Sequence, residues 1–521
     1  MREFLMTFFS TWTLLLLHVC FHFVSVQADV LRLPLHTSRH QVNDEVRSKG
    51  IGDIYDTPRD NLKGKPGLGF YVEIELGTPK QKLNVLVDTG SSNFAVAASP
   101  NIMISKYFHK EMSSTYHDLN REVYVPYTQG EWRGELGEDL VSIPVSHPNV
   151  STKVNVASIT YSEEFFINES NWQGILGLAY AEIARPDSTV LPFFDSLVQQ
   201  SGIADIFSLQ LCGLPNTTGN ASKTNVTGTM TIGGLDKGLY KGEMWFTPIR
   251  NNWYYEVIIL DIEVNGRSLN MDCKEYNFDK TIVDSGTTNL RLPTRVFEAL
   301  KLVINETVNK LIDEPIPENF WTGDELICHK HSTEPWVWFP SLAIILNSTT
   351  PNTAFRLKIS SRQYLRLVDS DKNGEHCYKY GISSSTTGSV IGAVVLEGFY
   401  VVFDRANQSV GFAKSSCAYE FEIGLVSPGV EGPIATVVRD CGYIAPPTDN
   451  LAVTIAAYVM AGLCVVCLIP LFLMYVHNKW ISCRRKPCEN DDSELLEERT
   501  DSTETDALKD EQPQEGQSQP G

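Results

Sequence analysis

Two stretches of the chain place an aspartate between an apolar run and a glycine. Residues 85–97 read VLVDTGSSNFAVA, and residues 281–293 read TIVDSGTTNLRLP. In each, a β-branched run delivers the acid, Asp88 or Asp284, at its end. Gly90 and Gly286 follow two residues later and permit a backbone too tight for a Cβ. Ser91 and Thr287 carry hydroxyls that can donate to the carboxylate, as can peptide N–H groups of the turn. One such turn alone reads as a capped surface turn. Two of them can bring their carboxylates together. Carboxylates at that distance do not both ionise easily, so the pair shares a proton over a range of acidic pH. The ionised member can take a proton from a water held between them. The protonated member can donate to a substrate carbonyl and steady the developing oxyanion. The chemistry this implies is peptide hydrolysis without a metal or an acyl-enzyme.

The elements needed to hold such a pair are legible as a duplication. After Asp88 the chain reaches GILGLAY with Ile175, Leu176 and Gly177. After Asp284 it reaches SVIGAVV with Val390, Ile391 and Gly392. Each half therefore has an Asp-ended apolar strand and a later apolar-apolar-Gly. A long period with two copies points to two similar lobes rather than to a solenoid. Alternating and clustered β-branched or aromatic residues, as in GFYVEIEL, GTMTIGG, WYYEVIILDIEVNG, SLAIILN and FYVVFDR, predict strands. Helical spacing is confined to 191–202 and 292–311, each beginning near a proline. The expected fold is mainly β, with lobes at 66–245 and 246–442.

Bulk properties narrow the function classes. At 521 residues the chain exceeds one typical domain of roughly 100–200 residues. A net charge of −20 disfavours a nucleic-acid partner, which usually needs a basic face. HExxH, GxSxG and GxxxxGK[ST] patterns are absent from the sequence. No cofactor and no metal are expected.

Two apolar stretches bracket the lobes. Residues 4–28 follow Arg2 and end with Val26 and Ala28 placed as in a small-residue cleavage site, so 1–28 reads as a secretory signal peptide. Residues 29–65 are polar, carry few strand signals and read as a pro-segment. Residues 451–476 form an uncharged run long enough to span a bilayer core of ~30 Å. Lys479, Arg484, Arg485 and Lys486 follow it, as the positive-inside rule requires of a cytosolic flank. The expected topology is type I: residues 443–450 as a juxtamembrane linker, and 477–521 as a cytosolic tail.

Cysteines and sequons agree with an oxidising, secretory compartment. Cys212, Cys273, Cys328, Cys377, Cys417 and Cys441 lie in the expected ectodomain, an even set that suggests disulfides. Their types and spacing leave fifteen connectivities open. Glycosylation sequons begin at Asn149, Asn168, Asn216, Asn220, Asn225, Asn305, Asn347 and Asn407.

Taken together, these motifs resemble the pepsin-like aspartic proteases, and within them the membrane-anchored beta-secretase (memapsin) branch. The resemblance runs from about residue 60 to beyond the membrane span, through VPYTQGEWRGELG, FFINESNWQGILGLAYAEIARP, MDCKEYNFDKTIVDSGTTNLRLP and EGFYVVFDRANQSVGFA. It implies a bilobal fold with pseudo-twofold lobes, and Asp88 with Asp284 as the catalytic pair. It makes VYVPYTQGEW a flap hairpin over the cleft, with Tyr127 packing on bound peptide, Thr128 and Gln129 at the tip, and Trp132 placed to hydrogen-bond the tyrosine. Thr288 and Asn289 would line the cleft. Arg291 would sit in a substrate pocket and favour acidic or polar side chains. From the fifteen connectivities the resemblance selects Cys212–Cys417, Cys273–Cys441 and Cys328–Cys377. It implies palmitoylation among Cys464, Cys467, Cys483 and Cys488. Asp492, Leu495 and Leu496 resemble an acidic dileucine signal read by cytosolic sorting adaptors. The implied places of residence are the Golgi, endosomes and cell surface, with transmembrane proteins as substrates. One departure stands out: the family's paired-Arg maturation site is missing, since Arg39 and Arg47 lie in no R-x-x-R. The alternatives are a generic anchored pepsin-like protease and a catalytically dead binding ectodomain. The second is disfavoured by both Asp-x-Gly turns being intact.

Overall fold

The structure is a computed structural model that describes residues 30–37, 69–127, 130–144, 151–167, 171–212, 226–330, 335–370, 375–417, 427–437, 440–443 and 451–484. The signal peptide, most of the pro-segment, Thr128, Gln129, Asn149, Asn168, Asn216, Asn220, Asn225, Cys488, Asp492, Leu495 and Leu496 lie outside the described residues. The chain divides into two compact units, 1–445 and 446–521.

The first unit is mainly β. Its strands form a thirteen-stranded sheet and three smaller sheets of five, four and three strands among the described residues. The expected lobe boundary at 245/246 falls inside this unit. Ile206–Leu211 from the first half pairs antiparallel with Phe399–Asp404 from the second, so one ladder crosses the boundary. The apolar faces of these strands bury Phe207, Leu209, Val401 and Phe403 in one core, and Phe207 stacks on Phe403 at 4.8 Å.

The duplication reappears as geometry. Gln81–Asp88 runs parallel to Gly174–Gly177, with Val87 opposite Leu176 and Asp88 opposite Gly177. Thr281–Val283 runs parallel to Ser389–Ile391, with Val283 opposite Ile391. The later glycine of each half is required by close backbone approach. A Cβ on Gly177 would stand 2.5 Å from the Ser92 carbonyl carbon, and one on Gly392 would stand 2.3 Å from the Asn289 oxygen.

The helices form within the expected ranges but are shorter, Phe193–Ser201 and Thr294–Val308. Pro192 and Pro293 occupy the N-cap positions, and Gly202 ends the first helix in the left-handed conformation that glycine allows. Asp195 on the first helix accepts two hydrogen bonds from the Arg405 guanidinium, at 3.0 and 2.8 Å. Arg405 itself is buried beneath the Tyr180 ring, which lies 4.6 Å away. This bidentate pair ties the helix to the end of the strand that crosses the boundary.

The few strand signals expected in 29–65 correspond to one strand among the described residues. Leu31–Thr37 is a strand inside the large sheet, paired along its length with Val226–Ile232 and at His36 and Thr37 with Phe70–Leu76. The reason is a period-two pattern that the polar surroundings obscured: Leu33 and Leu35 are buried in the core while Arg32 and Pro34 are not. Pro34 lies where the strand has a partner on one side only, the edge setting in which a sheet tolerates proline. Arg32 is ion-paired with Asp236.

Three disulfides join Cys212 to Cys417, Cys273 to Cys441 and Cys328 to Cys377. Among the described sequons, Asn407 is exposed in a turn, Asn347 closes a strand half-buried, and Asn305 lies half-buried on the helix Thr294–Val308.

The second unit contains the helix Leu451–Arg484. It runs beyond the expected end at 476 and takes in Lys479. Within it, Tyr458–Ile481 is long and apolar enough to cross a membrane, with a mean hydropathy of 2.6. Cys464 and Cys467 are exposed thiols on this segment.

Candidate active site

The two Asp-x-Gly turns meet. A Cβ built on Gly90 would lie 2.5 Å from the Asp284 carboxylate, and one on Gly286 would lie 2.3 Å from Asp88 Oδ1. Each glycine is therefore fixed by the other half's acid. The hydrogen bonds are twofold in pattern. Gly90 N donates to Asp88 Oδ1 at 2.8 Å, and Gly286 N to Asp284 Oδ1 at 2.8 Å. Ser91 Oγ donates to Asp88 Oδ2, and Thr287 Oγ1 to Asp284 Oδ2 at 2.6 Å. Both acids are nearly closed from solvent, at 5% and 7% exposure.

Beneath the acids lies a contact that the sequence reading did not single out. Thr89 N donates to Ser285 Oγ at 3.1 Å, and Ser285 N donates to Thr89 Oγ1 at 2.9 Å. The two hydroxyls donate onward to the opposite strand's carbonyls, Thr89 Oγ1 to Val283 at 3.0 Å and Ser285 Oγ to Val87 at 2.8 Å. Every polar group of this buried crossing is satisfied from the other half. The signal for it was present, since both repeats carry a hydroxyl residue directly after the aspartate.

Burial pushes the Asp88 carboxyl well above the ordinary range, and the neighbouring Asp284 charge pushes the same way. The Ser91 and Gly90 hydrogen bonds oppose that rise without cancelling it. The strand Glu131–Ser142 and its partner His117–Pro126 form a hairpin whose turn begins at Tyr127, with Tyr127 N donating to Gly130 O at 3.0 Å. The Tyr127 phenol is pushed up, first by burial and then by the Asp88 charge, which places it beside the acids. Trp132, fully buried, donates from Nε1 to the Tyr127 hydroxyl at 3.2 Å. The Tyr127 ring stacks on Phe165 at 5.6 Å, and Phe165 meets Trp172 edge-on at 5.7 Å. An apolar wall thus backs the tyrosine.

Thr288 is buried and Asn289 half-buried in the turn after Asp284. Arg291 is half-buried on the strand Leu290–Pro293, opposite Ser383. A further aromatic, Tyr254, feels the acids: burial and then the Asp284 charge raise its phenol. Its position in WYYEV gave no hint of this. No cluster of metal-ligating side chains occurs among the described residues.

A buried pair of aspartates delivered by two halves of one β fold is the constellation of an aspartic peptidase. The eukaryotic aspartyl protease family model matches residues 69–415, and the chain belongs to that family as an aspartic endopeptidase. Its similarity extends to a beta-secretase of the sea urchin Strongylocentrotus purpuratus, 49% identical over 474 residues that make up 86% of this chain and 87% of the relative. Pepsin A of Canis lupus familiaris is 26% identical over 366 residues, 68% of this chain and 83% of its own length. Cathepsin D of Gallus gallus is 27% identical over 421 residues, 74% and 95% respectively.

Proposed function

We propose that the chain is a type I membrane aspartic endopeptidase that cleaves the ectodomains of other membrane proteins through Asp88 and Asp284. The observation that carries this is the mutual approach of Gly90 to Asp284 and of Gly286 to Asp88, which leaves the two carboxyls facing one point. Burial and the neighbouring charge raise the Asp88 carboxyl, as suits a pair that shares one proton, the behaviour that paired aspartates of this class exemplify. One member of the pair would hold that proton and the other would be the base toward water. The substrate carbonyl would accept from the protonated member, and the proton taken from the water would pass to the leaving amine.

Tyr127, Thr128, Gln129 and Trp132 would act as a flap that orders the peptide and excludes water. Gly90, Gly286, Thr288 and Asn289 would border the bound chain, with Ser91 and Thr287 supporting the acids. Arg291 would draw acidic or polar side chains to one pocket. The apolar segment Tyr458–Ile481 would confine enzyme and substrate to one surface and raise their effective concentration. Amyloid-precursor-like membrane proteins are the substrate class that the beta-secretase likeness brings with it. Residence in the Golgi, endosomes and cell surface, sorting through Asp492, Leu495 and Leu496, palmitoylation, glycan attachment and removal of a pro-segment complete this reading.

The test is to express residues 29–445 with and without Asp284→Asn and follow cleavage of a peptide library from pH 3 to 8. Loss of a general acid–base partner should reduce turnover by about 10²–10⁴-fold. Unchanged turnover in the variant would sink the assignment. Arg291→Gln should flatten any preference for acidic residues in the cleaved sequences.

A further inference from the structure

The outer face of the hairpin carries a row of side chains with no part in the chemistry above. Strand alternation turns Trp132 inward to Tyr127 and its neighbour Arg133 outward. Arg133 stands directly opposite Tyr124 on one side and Tyr161 on the other. Its guanidinium lies 5.0 Å from the Tyr124 ring centre and 5.9 Å from that of Tyr161. All three side chains are exposed, so the row is not a core contact.

The row is closed at its distal end. Glu131, one pleat further toward the turn, accepts from the Tyr124 hydroxyl at 2.6 Å and from Arg133 Nη2 at 3.4 Å. Glu163 accepts from the Tyr161 hydroxyl at 3.1 Å. Glu131 and Glu163 are themselves register partners, a like-charge pair that would push the strands apart if left alone. The phenols bear the mark of this network: both are raised, chiefly by their hydrogen bonds to Glu131 and Glu163.

The row also sits at a natural bending point. The register slips between Arg133 and Gly134, so that Thr160 is passed over and Tyr161 faces Arg133. Such a bulge locally interrupts the ladder. A Cβ on Gly134 would come within 2.3 Å of the Ser158 oxygen, so the strands leave no room for a side chain just below the bulge. Above it only three register pairs remain, Arg133 with Tyr161, Trp132 with Ser162 and Glu131 with Glu163, so side-chain contacts add to a short ladder.

We propose that Arg133 is a positioning residue: clasped by Tyr124 and Tyr161 across the bulge, it sets how firmly the hairpin holds Tyr127 over the two aspartates. The role rests on the hairpin acting as a flap. Arg133 touches neither substrate nor reacting atoms; it acts through Trp132, its neighbour along the strand, which donates to the Tyr127 hydroxyl in the turn.

The test uses the full chain in detergent micelles. Amide exchange over residues 120–136, KM and kcat on a quenched peptide, and the thermal midpoint are measured for wild type, Arg133→Met and Arg133→Lys. Two exposed cation–π contacts imply an increase of about two- to fivefold in hairpin exchange and in KM for Arg133→Met. The expected kcat stays within about twofold and the midpoint is unchanged, because these contacts are exposed. Arg133→Lys, which keeps a cation over the rings, should recover part of the loss. Hairpin exchange and KM equal to wild type in Arg133→Met would overturn the proposal. The flap reading is tested separately in Asp284→Asn, where excess uncleaved peptide should slow exchange in the same segment. Absence of that protection would remove the flap, while its presence with an unaltered Arg133→Met would remove only the clasp.

Discussion

Thr89 and Ser285 each accept the other's backbone N–H on a side-chain hydroxyl, at 2.9 and 3.1 Å, directly below the two aspartates. The halves of the candidate site are thus joined by reciprocal bonds whose partners lie far apart in the chain. Thr89→Val or Ser285→Ala removes one hydroxyl and strands a buried N–H and a buried carbonyl. Each variant should lose about 1–3 kcal/mol of stability, read from chemical denaturation. Turnover should fall further than stability alone explains, because the carboxyls lose their relative placement. A variant with wild-type turnover would show that the crossing serves folding only.

Gly90 and Gly286 test the approach of the turns. Alanine at either position puts a methyl carbon against the opposite carboxylate. Overpacking of this kind costs about 1–3 kcal/mol where the surroundings cannot yield. Gly90→Ala and Gly286→Ala should both express as folded but weakened protein with little peptidase activity. Thermal melts beside peptide assays decide the point, and retained activity in both would contradict the observed closeness.

Asp88 makes stability depend on pH. Its folded value lies well above the ordinary Asp value of about 3.9. The folded state therefore keeps this proton while the unfolded state releases it, and stability from this group falls as pH rises. The contribution is fully present below about pH 4 and is lost as pH rises through the folded value. Asp88→Asn removes that dependence. The gap in melting temperature between Asp88→Asn and wild type should widen in favour of the variant from acid toward neutral pH. A gap that narrows over that range would reverse the sign and contradict a raised Asp88 carboxyl.

Arg405 is the cation of a mostly buried pair with Asp195, reinforced by the Tyr180 ring. Removing one partner of a buried pair leaves an uncompensated charge and typically costs about 3–5 kcal/mol. Arg405→Met should lose stability on this order in urea unfolding of the first unit. The double variant with Asp195→Leu should recover part of it, since the nearer carboxylate is then gone and only Asp205, 3.4 Å from Arg405 Nε, is left without its cation. Equal losses in single and double variants would show that the packing of the arginine, and not its charge, is what matters.

Much of this architecture was readable before any coordinates. The repeated Asp-x-Gly turn and the repeated apolar-apolar-Gly named four elements that the structure pairs in parallel, Gln81–Asp88 with Gly174–Gly177 and Thr281–Val283 with Ser389–Ile391. Where reading failed, a local pattern was masked or a contact was distant. Leu31–Thr37 has the leucine alternation of a strand, yet its polar setting kept it from being singled out among the few strand signals there. Tyr254 carries no local mark of its surroundings, because only folding brings it within reach of the Asp284 charge.

By itself, the sequence determined what each segment is able to do: strands from period-two apolar residues, turns from glycine, acids at strand ends, and an apolar helix near the C-terminus. These follow from local sterics and from which side chains gain by leaving water. Only the tertiary structure decided that Asp88 and Asp284 face each other, that Thr89 and Ser285 lock that meeting, and that Arg133 lies between two tyrosines. Those are distances between residues far apart in the chain or on different strands. They are set by how the whole sheet closes its core, and no local propensity encodes them.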